Sequence, residues 1–435
     1  MAVSVVALFV GCAHPRADDL NAVLDEYDRA AGDLGWPGFS PIDVPLILHD
    51  DASTYLIRHP SPPDPFREMR GADGVWVADS LFAGLSANTD TDFSGSRVAV
   101  AAAPGDWEPR TTAALLMHEA FHAYQTGAHP DWTANEVELF TYPIRSARLL
   151  QLRRLEGGAL RRAVTAPDSV RELCWAQAFL RARSERARRL PDGAVGYDRG
   201  SELREGLARY IQARVDGTDP VIPSDGFRPE DVRERSYETG HAIAVLLDRL
   251  SPGWKRELVE SETPVALEDL LDRSIAAAAV RRCGASPDET ARALSVARTD
   301  SADLAARDRR ALAAFEEAPG WSVEVLAGPD GLQVAQFDPL NVRVLDEQLV
   351  LHTRWVALAG DGVEVEALDR AALTSGRRGH PLFAGVDRFR ITGLGDPEIE
   401  QVGDTVRIRQ PGLSLTAVGA TVEREGQRIR IVAAR

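Results

Sequence analysis

The spacing of apolar residues changes abruptly at residues 318–321, where the sequence reads "APGW". Before this point, long stretches place apolar residues three and four positions apart, the spacing of helices that pack on one face. After it, short segments such as "WSVEVLA" and "RIRIVAA" alternate apolar and polar residues between Gly and Asp turns, as half-buried strands do. A single bundle or a single sheet cannot satisfy both periods. We therefore expect an α+β multidomain protein.

The length of 435 residues also favours several domains, because single cores stop growing beyond about 250–300 residues. Residues 13–106 combine a helix with strands in "VPLILH", "GVWVAD" and "GSRVAVAAAP"; "SANTDTDFSGS" is predicted to be a polar loop. Residues 107–317 are predicted to be mostly helical, and stretches starting at 134 and 169 resemble a packed helical hairpin. Residues 318–435 are predicted to form an all-β, sandwich-like domain.

The first residues, "MAVSVVALFVGCAHP", pass from a short apolar run through Gly11 and Cys12 to a polar stretch. This resembles the lipobox of bacterial lipoproteins, which implies a signal segment at 1–12 and lipidation of Cys12. The protein would then be exported to the bacterial cell envelope, as a lipoprotein, or secreted. A buried strand or a disordered tail is the alternative. No other stretch approaches the ~18 apolar residues of a membrane span, so we expect membrane contact only through this anchor.

Charge and cysteine content add two constraints. The net charge of −16 argues against a nucleic-acid partner, because neutralising phosphates requires a basic face. Cys174 and Cys283 can form a disulfide in an oxidising compartment or remain two separate buried thiols.

The stretch "LLMHEAFHAYQ" at 115–125 contains the pattern H-E-x-x-H. This stretch is predicted to be a helix that Thr111 or Thr112 can help cap. Four-residue spacing on a helix puts His118 and His122 on one face, where both imidazoles can bind one Zn²⁺ ion. Glu119 then stands beside the ion as a general base. The flanking residues are apolar, which favours a buried site over two unrelated surface histidines.

Several residues remain candidates for the third ligand. The metzincin pattern requires Gly and His three and six positions after the second histidine, where this chain has Gln125 and Ala128. His129 is out of frame and is expected to be a loop residue. Acidic residues on later segments are the remaining candidates: Glu136, Glu138, Glu202 and Glu205.

The segment "REGLARY" at 204–210 resembles the E-G-x-A-x-Y element of gluzincins, the superfamily of thermolysin and the zinc aminopeptidases. This resemblance implies that Glu205 is the third zinc ligand and that Glu202, one turn earlier, accepts a hydrogen bond from a ligand histidine. Gly206 would let its helix pack closely on the helix of the two histidines. Here 82 residues (123–204) lie between His122 and Glu205, far more than in thermolysin-like enzymes, so the intervening helices must return the chain to the site.

Further elements follow from the same resemblance. "RSYETGHAIAVLLDRL" resembles a helix that supplies a transition-state donor in gluzincin-like proteins, which makes Tyr237 and His241 catalytic candidates. The alternative roles are a partly buried tyrosine and a core histidine. The strand "SRVAVAAAP" would be an edge strand that binds extended substrate. His352 and His380 are expected to be a strand residue and a turn residue.

These features predict a zinc-dependent metallopeptidase of the gluzincin type that acts on a peptide or protein substrate. Residues 13–317 would form its catalytic unit. One alternative is a surface lipoprotein that binds a partner through its β domain and carries a degenerate peptidase domain. Another is a zinc amidase that acts on a non-peptide amide of the cell wall.

Overall fold

The computed structural model describes residues 17–433, except 51, 81, 83–87, 104, 106, 277 and 279–281. Cys12 and the predicted signal segment lie outside the described residues. The chain divides into two compact units: residues up to Leu139 with Ser146–Ala297, and Phe140–Arg145 with the residues from Arg298 onward. A helical region and separate β-sheets in the C-terminal part give the α+β layout that the two periods predicted.

The first unit begins with helix α1 (Ala17–Asp33) and a six-stranded sheet. Its strands are β1 (Leu46–His49), β2 (Thr54–Ile57), β3 (Arg67–Glu68), β4 (Val75–Ala78), β5 (Thr89–Phe93) and β6 (Ser96–Ala102). Their spatial order is β3-β4-β2-β1-β6-β5, and β1 and β6 run parallel. Leu46 and Leu48 face the core shared with the helices, whereas Ile47 packs on the opposite face, because strand side chains alternate.

Strand β5 lies in the segment that was predicted to be a polar loop. Ser94 and Gly95 both have positive φ (47° and 82°), which is the geometry of a two-residue type I′ hairpin turn between β5 and β6. β6 is consequently an inner strand and β5 stands at the edge of the sheet. The expectation that "SRVAVAAAP" forms the edge was therefore wrong. The polar run "TDTDF" concealed a strand that is only partly buried.

The helices of the first unit follow, with two short 3₁₀ turns at Pro41–Asp43 and Glu136–Phe140. They are α2 (Pro109–Ala128), α3 (Ala147–Val164), α4 (Ser169–Ala187), α5 (Asp192–Ser201), α6 (Leu207–Asp216), α7 (Val232–Leu250), α8 (Trp254–Val259), α9 (Leu267–Ile275) and α10 (Pro287–Glu316), whose residues from 298 belong to the second unit.

Two local details of the helices differ from the prediction. Glu108, and not Thr111 or Thr112, caps α2, since its carboxylate accepts a hydrogen bond from the Thr111 backbone at 2.7 Å. The stretch from 134 is not one helix: a 3₁₀ turn ends at Phe140, a loop follows, and Ser146 caps a separate helix, α3. No helix among the described residues is both long enough and apolar enough to cross a membrane.

The second unit contains two sheets. Its strands are β7 (Trp321–Leu326), β8 (Gln333–Phe337), β9 (Val342–Asp346), β10 (Leu349–His352), β11 (Trp355–Gly360), β12 (Val363–Leu368), β13 (Ala372–Ser375), β14 (Arg388–Leu394), β15 (Ile399–Val402), β16 (Thr405–Gln410), β17 (Leu413–Val418), β18 (Thr421–Glu425) and β19 (Arg428–Val432), with a 3₁₀ turn at Pro339–Asn341 and a short helix α11 (Pro381–Ala384). The strand orders are β18-β19-β7-β14-β13-β10-β9 and β15-β16-β17-β12-β11-β8. Residues from both sheets form one apolar core.

A disulfide joins Cys174 of α4 to Cys283, with 5.4 Å between their Cα atoms. This decides between the two alternatives that the sequence left open. The bridge links segments of the first unit that lie 109 residues apart in the sequence.

Residues Glu202–Gly206 form a π-helical turn between α5 and α6. Gly206 faces α7: a Cβ atom there would lie 2.6 Å from the Gly240 Cα atom and 2.9 Å from the Ser236 carbonyl oxygen. A Cβ on Gly240 would lie 2.7 Å from the Gly206 Cα atom. The two backbones therefore touch. The expectation that Gly206 allows close packing on the histidine helix was wrong, because the close partner is α7.

This contact predicts that Gly206→Ala and Gly240→Ala each lower the free energy of unfolding by about 1–3 kcal/mol, since the added methyl group must push two backbones apart. Urea denaturation measures the change. Gly196→Ala in α5 is the matched control, because a Cβ atom on Gly196 would have nothing within 4 Å. This substitution should be neutral or slightly stabilising. Equal effects at all three glycines would contradict the contact.

Candidate metal centre

Three buried side chains converge between α2 and the π-turn. His118 and His122 lie one turn apart on α2, and Glu205 comes from the π-turn. One ligand atom from each residue lies within 4.8 Å of the other two, and the three residues are at most 7% exposed. Among the described residues this is the group of three that could hold a metal ion.

Gln125 determines that Nδ1 of His122 carries a proton. Its side-chain NH₂ donates to the carbonyl oxygens of Leu203 and Arg204, at 2.8 and 3.1 Å. Its Oε1 atom must therefore face Nδ1 of His122, at 2.8 Å. Because an amide oxygen can only accept, Nδ1 carries a proton, and in the neutral ring Nε2 has the lone pair. That lone pair is turned toward His118 and Glu205.

His118 is held in a similar way. Its Nδ1 atom lies 3.1 Å from Oε1 of Gln212 on α6. Burial, reinforced by His122, lowers the pKa of His118 to about 3, so the ring is neutral. Its Nε2 atom lies 3.0 Å from Nε2 of His122, which is in turn 3.3 Å from Oε2 of Glu205.

When both rings are neutral, two imidazole nitrogens and a carboxylate oxygen face one another in a buried site. Such a cluster is costly unless a proton or a metal ion lies between its members. Two imidazole nitrogens and one carboxylate oxygen are also a donor set that Zn²⁺ accepts, with a fourth position left for water or substrate. The residues therefore fit a metal ion.

Two residues of α7 hold Glu205 in its ionised form. Arg233 donates to Oε1 at 2.9 Å, and the Tyr237 hydroxyl also bonds to the carboxylate. Burial alone would raise the pKa of Glu205, but His122, Tyr237 and Arg233 together hold it well below its usual range. The ring of Tyr237 stacks on His118, with 6.0 Å between centroids and an 11° angle between planes.

Glu119 lies beside the three ligands and is 4% exposed. Its Oε2 atom is buried, and no group in the described part of the chain donates a hydrogen bond to it. Burial raises the pKa of Glu119 to about 7, against the opposing effect of His122. A carboxyl group of this kind can exchange a proton near neutral pH.

The three ligands and Glu119 line an open cleft of about 420 Å³. Asn88 is next to β5, and Thr89 and Asp90 belong to it; all three line one side of the cleft, while Arg204, Arg233 and Tyr237 line others. The edge strand of the sheet therefore borders the candidate site.

Glu202 belongs to a buried ionic network behind the π-turn. Arg183 of α4 donates to both Glu202 oxygens at 2.6 Å, and the Thr239 hydroxyl donates to Oε1 at 2.6 Å. The expectation that Glu202 accepts a hydrogen bond from His118 or His122 was therefore wrong. The two histidines contact Gln125 and Gln212 instead. The network joins charged groups from α3, α4, α5, α7, α9 and the π-turn: Glu156, Arg183, Arg186, Asp198, Glu202, Arg235 and Glu268.

Neighbouring arginines keep two carboxylates of this network, Glu156 and Asp198, ionised. Burial would raise the pKa of Glu156, but Arg186 and Arg183 outweigh it and hold the value at about 2. The same balance, through Arg235 and Arg186, holds the pKa of Asp198 well below its usual range.

Other candidate residues lie elsewhere. His241, one turn after Tyr237, packs against Tyr210 with ring centroids 6.2 Å apart and is not in the cleft lining. Burial lowers its pKa to about 4. Glu136 lines the cleft and faces Arg233 at 3.8 Å, while Glu138 contacts Asn135.

The other three histidines that the sequence singled out have local partners. His129 follows α2 and stacks on Trp132 at 4.0 Å. His352 is buried on β10 and contacts the Thr374 hydroxyl at 3.1 Å. His380 caps the short helix α11.

Sequence reasoning missed Gln125, Gln212 and Arg233. Gln125 follows His122 by three residues, so it lies on the same helical face as the histidine it contacts. Gln212 follows Glu205 by seven residues and Arg233 precedes Tyr237 by four, so each shares a helical face with another residue of the site. Helical spacing from residues already singled out was the signal available for all three.

Comparisons with known proteins add no relative. No protein-family description, no curated protein and no solved structure matches this chain.

The glutamine contacts predict that Gln125→Leu weakens Zn²⁺ binding about 10–100-fold, because the ring of His122 loses the partner that orients it. Competition with a chelating dye measures the affinity. Gln177→Leu is the matched control: it removes an amide that donates to Ala278 at 2.9 Å, outside the cleft. An unchanged affinity in a folded Gln125→Leu protein would show that the contact does not support the metal centre.

Proposed function

We propose that this chain is a zinc-dependent metallopeptidase, in which His118, His122 and Glu205 hold the ion. The observation that carries the proposal is the buried convergence of these three side chains next to a fourth group, Glu119. The Oε2 atom of Glu119 has no hydrogen-bond partner in the described part of the chain. The gluzincin-like elements around these residues support the same assignment. When bound, zinc lowers the pKa of a coordinated water molecule and polarises a carbonyl oxygen.

Glu119 is the group that moves protons. Its Oε2 atom would take a proton from the attacking water and return it to the leaving nitrogen. The burial of Glu119 holds the carboxylate in place.

Tyr237 is the candidate for a hydrogen-bond donor to the oxyanion. Burial and the neighbouring Glu205 raise the pKa of its hydroxyl, which therefore stays protonated and can donate. Stacking on His118 fixes the ring at the cleft wall. Because the hydroxyl bonds to Glu205 in this structure, it would have to exchange that partner for the oxyanion.

An extended peptide is the substrate that this cleft favours. Edge strand β5 borders the cleft, and among the described strands its outer edge has no partner. A substrate backbone can add to such an edge by main-chain hydrogen bonds. The Cys174–Cys283 disulfide favours a protein that acts in an oxidising compartment, which the lipobox-like stretch also implies.

The proposal predicts that Glu119→Gln lowers kcat for peptide hydrolysis by about 10²–10⁴-fold, because an amide cannot accept the proton. Zinc content should remain at one ion per chain, since Glu119 is not a ligand. Cleavage of a peptide library, followed by mass spectrometry, measures activity.

Glu257→Gln is the matched control, a glutamate on α8 that pairs with Arg273 at the surface. Full activity in zinc-loaded Glu119→Gln would refute the assigned role. Cleavage of non-peptide amides with no cleavage of peptides would refute the peptidase assignment but leave a zinc amidase.

A further inference from the structure

The first unit has a second cavity that shares no lining residue with the metal-centre cleft. It measures about 500 Å³ and lies between α3, α4 and the first turns of α10. The Cys174–Cys283 disulfide borders it, since Cys283 and Gly284 form part of the lining. This volume falls in the range of small-molecule sites.

The lining of this second cavity is strongly basic. Five arginines surround it, against two acidic residues, Asp225 and Glu289, so positive charges exceed negative ones by three. The arginines are Arg154, Arg161, Arg162, Arg181 and Arg292. This local excess is opposite in sign to the net charge of the whole chain, which is −16. A basic cavity of this kind attracts anions from solution.

Arg161, Arg181 and Arg292 have no carboxylate within salt-bridge distance in the described part of the chain. Arg162 pairs with Glu289, and Arg154 donates to the Asp225 backbone oxygen at 3.1 Å. Arg181 donates to the Cys283 backbone oxygen at 2.8 Å. The Nε atom of Arg161 is buried without an acceptor among the described residues. Arg292 is exposed at the cavity rim.

The contrast with the rest of this unit is informative. The arginines of the buried network are each matched by one or more carboxylates. In the second cavity, burial and the nearby Arg282 lower the pKa of Arg181, which indicates positive charge that lacks compensation. A bound anion would compensate this positive charge. The planar guanidinium group forms paired hydrogen bonds with phosphate and carboxylate groups.

The remaining wall of the second cavity is apolar. Trp175 contributes its indole ring, and the Arg162 guanidinium lies 4.7 Å from the ring centroid. Leu155, Ala159, Ala178 and Val296 complete this side. A ligand with an apolar body as well as a charged group therefore fits better than an inorganic ion.

We propose that this cavity is a binding site for a small organic anion, whose phosphate or carboxylate group contacts Arg161 and Arg181 and whose apolar body packs against Trp175. The site is independent of the proposed peptidase activity, because none of its residues takes part in the metal centre.

Isothermal titration calorimetry on the intact, disulfide-bonded protein tests the proposal with three probes: phenyl phosphate, benzoate and the uncharged benzyl alcohol. At least one anion should bind with a Kd below about 1 mM, and benzyl alcohol at least about tenfold more weakly. The anion that binds more tightly identifies the charged group. EDTA should leave both affinities unchanged, which separates this site from the metal centre.

Variants locate the site. Arg161→Gln with Arg181→Gln should weaken anion binding by about tenfold or more, whereas Arg256→Gln, an exposed arginine on α8, should leave it unchanged. If the double variant does not fold, Arg292→Gln at the exposed rim should still weaken binding severalfold.

Three results would overturn the proposal. They are no binding of either anion, binding of benzyl alcohol as tight as that of the anions, and a loss of binding in Arg256→Gln as large as in the cavity variants. The last result would show a general charge effect in place of a site.

Discussion

The buried ion pair between Arg183 and Glu202 is the interaction on which the metal centre depends. The Nη1 and Nη2 atoms of Arg183 both donate hydrogen bonds to the Glu202 carboxylate, at the start of the turn that carries Glu205. Burying charged groups has a desolvation cost that offsets much of their attraction, so the network contributes a fixed arrangement more than added stability. Gly206 and Gly240 complete that arrangement, because they let the turn touch α7.

Once the turn is fixed, α2 supplies the rest of the site. Gln125 bonds to the turn and to His122 together, so one side chain sets both the position of Glu205 and the tautomer of the histidine. Three ligand side chains then face one another in a buried space. The ionic network behind the turn pairs arginines with carboxylates. The cluster in front of the turn brings two imidazole nitrogens and a carboxylate together, where a bound cation would compensate them.

The sequence predicted this site better than it predicted the surroundings. Four-residue spacing on a helix determines that His118 and His122 meet, and a short motif pointed to Glu205 across 82 residues. The second unit's strands followed from strict alternation. Strand β5 was missed because a partly buried edge strand need not carry an apolar pattern. The partners of Gly206 and Glu202 were missed because they come from helices distant in sequence, and tertiary packing alone decides which helix arrives.

X-ray absorption at the zinc K-edge of the zinc-loaded protein is the most direct test of the central claim, that His118, His122 and Glu205 bind one ion. The account predicts a first shell of nitrogen and oxygen at about 2.0–2.1 Å, with the outer-shell scattering of two imidazoles and no sulfur. Zinc with fewer than two imidazoles, or zinc bound through sulfur, would contradict it.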